Sequence, residues 1–156
     1  MTALAQEAAT ISILLQLGVI STKDVIDWAD ENIVRVPKPR PLLIELSTTP
    51  ANRLDLISEM LSALKMDSDY WPAVRDALAT VHSYVLSRPQ DAEKIAQGLY
   101  LVASNQILEV PEDLQFMYGL DDAFYLAREN GLGNENDARL DMLLELAKFK
   151  VGQHES

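Results

Sequence analysis

Histidine and cysteine are the scarcest reactive side chains in this sequence of 156 residues: there are two histidines, His82 and His154, and no cysteine. A Ser-His-Asp arrangement needs a histidine held beside the serine as general base. His154 lies in the C-terminal tail, His82 sits among Val81, Tyr84 and Val85 in a stretch with helical spacing, and no G-x-S-x-G segment occurs. A zinc site needs more imidazole or thiolate ligands than the chain contains. His82 therefore reads as a partly buried structural histidine, and histidine-based catalysis is not expected.

Carboxylates are the other candidates for chemistry. Asp24, Asp27, Asp30 and Glu31 recur at i, i+3, i+6 and i+7, which places them on one helix face. Four negative charges so close repel one another unless something positive sits opposite. Two readings stay open: a solvated face, with Asp24 favoured by the helix N-terminus, or a docking face for a basic partner. Asp121 and Asp122 resemble the start of a D-D-x-x-D magnesium motif, but its third position is Tyr125, so the pair reads as a helix-start or surface pair. A calcium loop of the form D-x-[DN]-x-[DN]-G is missing, as are the glycine-rich phosphate loops. No cofactor is expected. A small helical enzyme using paired carboxylates with a metal remains an alternative, which requires these groups to converge in a concave pocket.

The distribution of charge carries more information than any single motif. The chain has 13 basic and 24 acidic residues, a net charge of −11, which repels nucleic-acid phosphates and anionic lipid and attracts basic partners. Between Gln106 and Glu145 there are ten acids against Arg128 and Arg139 alone, so this segment carries −8 of the total. It also holds Phe116, Tyr118, Phe124 and Tyr125. Acids such as Glu112, Asp113, Asp121 and Asp122 steer encounter, and aromatics such as Phe116, Tyr118 and Tyr125 supply buried contact, a composition suited to gripping a basic protein surface. The plain alternative is that the aromatics are core and the acids solvate the outside.

The elements that must position these residues are helices. Hydrophobic residues make up 48% of the chain and charged residues 24%, an ordinary globular composition, and strand-like alternation is nearly absent. A first helix is expected from Ala3 to Leu17, stopped by Gly18. Ser21 and Asp24 form a capping-box pattern ahead of a second helix, Thr22 to Val34. Pro37, Pro39 and Pro41 alternate with Lys38 and Arg40 in a stiff, basic, extended connector. A short helix, Leu42 to Ser47, follows, and Thr49 with Pro50 is expected to open the next, which carries Leu54, Ile57, Met60, Leu61 and Leu64. A turn at Asp67 to Asp69 leads to a long helix reaching Ser87, with Val74, Ala77, Leu78, Val81, Val85 and Leu86 in its core stripe. Pro89 opens another helix, and Pro111 to Asn130 reads as a helical stretch broken at Gly119. Gly131 to Asn134 is a turn. The last helix, Glu135 to Lys150, should face Leu140, Leu143, Leu144 and Ala147 inward, and residues 151–156 read as a frayed tail. The expectation is an all-α, single-domain bundle of about seven to eight helices covering residues 1–156.

The N-terminus has no basic residue before Lys23, and the apolar run Ile11 to Leu17 is interrupted by Ser12 and Gln16. It is far short of the roughly 20 residues that span a bilayer. A secretory leader and a membrane span are thus not expected, and the expected location is the cytoplasm. The segment Gly18-Val-Ile-Ser-Thr-Lys-Asp-Val-Ile-Asp-Trp-Ala-Asp30, followed by Ile44-Glu45-Leu46-Ser47, resembles a recurring piece of small acidic helical bacterial immunity proteins of polymorphic or contact-dependent toxin systems. The resemblance covers the first third of the chain and carries no catalytic residue. It implies a non-enzymatic cytoplasmic protein whose partner is a basic protein, a toxin domain, neutralised by occlusion of its active site. A structural or scaffold subunit, marked by a large apolar interface between copies, is a further alternative.

Overall fold

Leu4, Ala8, Ile11 and Leu15 repeat at helical spacing in the first helix, which stops where the backbone turns left-handed. In the computed structural model, which describes residues 3–104, 108–129 and 134–155 (side chains only to 150), α1 spans Ala3–Leu17 and Gly18 has φ 79°. The Gly18 and Val19 amides donate to the carbonyls of Leu15 and Leu14, at 3.1 and 3.0 Å, which satisfies two otherwise orphaned acceptors. Ser21 then caps α2, Thr22–Arg35. After the connector come α3, Pro41–Ser47; α4, Leu54–Leu64; α5, Tyr70–Ser87; α6, Ala92–Ser104; α7, Leu120–Glu129; and α8, Glu135–Glu155. Two 3₁₀ segments, Pro89–Asp91 and Glu112–Tyr118, complete the order. Among the described residues the chain is all-α, with eight α-helices and no strand. None of these helices is long and apolar enough to cross a membrane.

The chain gathers into two compact units, residues 1–74 and 75–156, with the boundary falling inside α5. In the first unit α1 packs on α4, and α2 on α3. Ala8, Val25, Ala29, Leu43, Leu46, Ile57, Leu61 and Leu64 form its core. Each fully buried leucine or isoleucine there contributes about 1.5–3 kcal/mol of transfer free energy. Gln6 clamps the backbone of Asp69, donating to its carbonyl at 3.0 Å and accepting from its amide at 3.2 Å. In the second unit α6 packs on α7 and on the 3₁₀ segment Glu112–Tyr118, and α7 packs on α8.

Several expectations are corrected. Thr49 and Pro50 do not open α4: the Thr49 hydroxyl donates back to the Glu45 carbonyl at 2.8 Å, Pro50 starts a turn closed by the Arg53 amide, and Arg53 is the N-cap residue. The proline connector bends through residues 36–38 and is extended at Val36 and Arg40, because so short a link must reverse the chain for α3 to pack on α2. Leu54 and Leu86 are exposed. In α8 the inward stripe is Ala138, Met142 and Leu146, whereas Leu140 and Leu144 face solvent. Proline sets φ for a first turn but does not choose between helix types, and the stretches after Pro89 and Pro111 begin as 3₁₀. Of the expected turn at Gly131 to Asn134 only Asn134 is among the described residues, and the backbone of α8 runs on to Glu155, past the expected end at Lys150, while the side chains from Val151 onward lie outside the described residues.

Candidate protein-binding surface

The segment from Leu108 to Glu129 is organised by two different helical periods. In the 3₁₀ turn, residues three apart eclipse one another, so Leu114 and Met117 point inward together and are fully buried. Glu112, Asp113 and Tyr118 are thereby turned outward, and Phe116 is half-buried against the Phe149 ring, 5.8 Å between centroids. Tyr118 stands edge-on to Tyr100 of α6, at 6.2 Å and 77°, and its hydroxyl donates to the Ala103 carbonyl at 3.5 Å. Gly119 ends this turn, and α7 resumes with the α period: Leu120 and Phe124, four apart, are buried. At about 100° per residue the side of α7 facing away from them is made of Asp122, Tyr125, Leu126 and Glu129. All four are exposed, Tyr125 to 51%. Asp121 is half-buried at the edge of this face.

The local electrostatics sort the acids into answered and unanswered. Arg75 grips Asp113 with two bonds, Nε to Oδ2 at 2.9 Å and Nη2 to Oδ1 at 3.0 Å, and the guanidinium holds the Asp113 carboxyl below its ordinary 3.8. Arg128 pairs with Glu93 of α6 and, at 3.0 Å, with Glu129, which pushes its own pKa further up. Among the described residues Glu109, Glu112, Asp121 and Asp122 make no ion pair. Glu109 and Glu112, with Val110, Pro111 and Gln115, line an open hollow of about 460 Å³.

The stripe on α2 is exposed as its spacing implies, but most of it is engaged. The Asp24 carboxylate accepts from the Ser21 amide at 2.8 Å while the Asp24 amide donates to Ser21 Oγ at 3.2 Å. These bonds hold its carboxyl below 3.8, the Ser21 backbone amide first. Asp27 pairs with Lys23 at 3.0 Å, and Glu31 with Arg35 at 3.8 Å. Asp30 is exposed and makes no ion pair among the described residues. The candidate residues therefore divide: Glu112, Asp113, Phe116, Tyr118, Asp121, Asp122 and Tyr125 share the second unit, on two segments that pack together, while the α2 acids belong to the first.

Comparison with protein-family models, with curated proteins and with solved structures finds no match. What the site can do must be read from its own groups.

Among the described residues, no three His, Asp or Glu side chains come together in a way that could hold a metal ion. His82 is half-buried, and its buried Nδ1 has no hydrogen-bond partner among the described residues. Burial holds its imidazole below 6.5, and the Lys150 charge acts in the same direction. The exposed Tyr125 and Leu126 supply apolar area, and the acids beside them supply negative charge. Leu126 and Glu129 were missed as members of the α7 face. The signal was available, since each lies four residues from another exposed member, Asp122 and Tyr125.

Proposed function

We propose that this chain is a non-enzymatic protein-binding domain that meets a basic protein, and that it serves as a bacterial immunity protein, occluding the active site of a cognate toxin in the cytoplasm. The observation that carries the reading is the outer face of α7, where Tyr125 and Leu126 are exposed between Asp122 and Glu129. Aromatic and aliphatic anchors flanked by carboxylates combine the buried contact and the steering field that a basic partner needs. A nuclease toxin suits this face best, because a phosphate-binding site must itself be positive. The resemblance of Gly18 to Asp30 and of Ile44 to Ser47 to immunity proteins supports the same reading.

The test is titration of the purified chain with the product of the neighbouring gene, together with growth rescue when that product is expressed. Binding that weakens at least tenfold in Tyr125→Ala and in Asp122→Lys is the expected result; no binding and no rescue would sink the proposal.

A further inference from the structure

We draw no further inference here: the strongest candidate, the exposed apolar stripe of Leu140 and Leu144 on the outer side of α8, has charges of both signs around it, Asp137, Asp141 and Lys148 on one flank and Arg139 and Lys150 on the other, and nothing in the structure shows what covers it.

Discussion

Asp24 separates a structural from a partner-binding role more cleanly than any other carboxylate in the chain. It is the N3 residue of a capping box, with both reciprocal bonds to Ser21 formed. Ser21→Ala removes the oxygen that accepts the Asp24 amide, and such cap losses cost about 1 kcal/mol, with a range of roughly 0.5–2. Asp24→Ala removes the acceptor of the Ser21 amide and its favourable charge at the helix N-terminus, a cost of about the same size. Because the two halves support each other, the double variant should cost less than the two single costs added, by about 0.5 kcal/mol or more. The assay is urea unfolding followed by tryptophan emission. Trp28 and Trp71 are the two tryptophans, and both lie in residues 1–74, so emission reports on the unit that contains the cap. The Asp24 carboxyl is held below 3.8 in the folded chain. Its contribution is therefore complete above that value and is lost as the pH falls through the lower folded one. The cost of Asp24→Ala should accordingly shrink in acid. An Asp24→Ala variant as stable as wild type at neutral pH, or a cost independent of pH, would refute the assignment of Asp24 to the cap.

In the second unit, Leu114→Ala should cost about 2–5 kcal/mol, the price of a cavity at a fully buried leucine, measured by denaturant unfolding followed through the tyrosines. His82, whose pKa is depressed by burial, should make the fold less stable as the pH drops below 6.5, because the unfolded chain then binds the proton more readily; His82→Phe should flatten that slope in thermal midpoints taken between neutral pH and mild acid. A double-mutant cycle on Arg75 and Asp113, a two-bond pair on the surface, should give about 0.2–1 kcal/mol of coupling, diminishing with added salt.

Helix boundaries were legible wherever a local backbone signal decided them. Gly18 is one case, since its positive φ is readily met by glycine, and Ser21 with Asp24 is another. Thr49 misled because a threonine hydroxyl can bond backward to a helix carbonyl as readily as forward to an amide, and it took the Glu45 carbonyl. In α8 both stripes are apolar, so periodicity alone could not choose between them. Phe149 shows what tipped the balance: it lies three and seven residues beyond Leu146 and Met142 and reaches the Phe116 ring, so the stripe that continues into an aromatic is the one that turns inward. At the candidate surface, exposure of the α2 acids was readable from spacing. Their engagement was readable too, since Lys23 and Arg35 each stand four residues from the acid they pair with. The grip of Arg75 on Asp113, across 38 positions of sequence, was not.

A carboxylate steers a partner with its full charge only when nothing on its own chain already answers it. By that measure the two acidic regions are unequal. On α2, three of four acids are engaged, one by the helix cap and two by cations four residues away. Exposed pairs of this kind contribute little stability, but each cation cancels most of the field of its acid beyond a Debye length. Between Leu108 and Glu129, Arg75 answers Asp113 and Arg128 divides itself between Glu93 and Glu129. Among the described residues four further acids have no cation beside them; Glu112, Asp121 and Asp122 lie on the same two segments as Tyr118, Tyr125 and Leu126, and Glu109 lies just ahead of them. On α2 the uncancelled charge is Asp30 alone and the exposed apolar residue near it is Val34, whereas the other stretch combines several such acids with exposed Tyr118, Tyr125 and Leu126. For a protein read as a binder of basic partners, that coincidence favours the 3₁₀ turn and α7 over the α2 stripe as the place where contact is made.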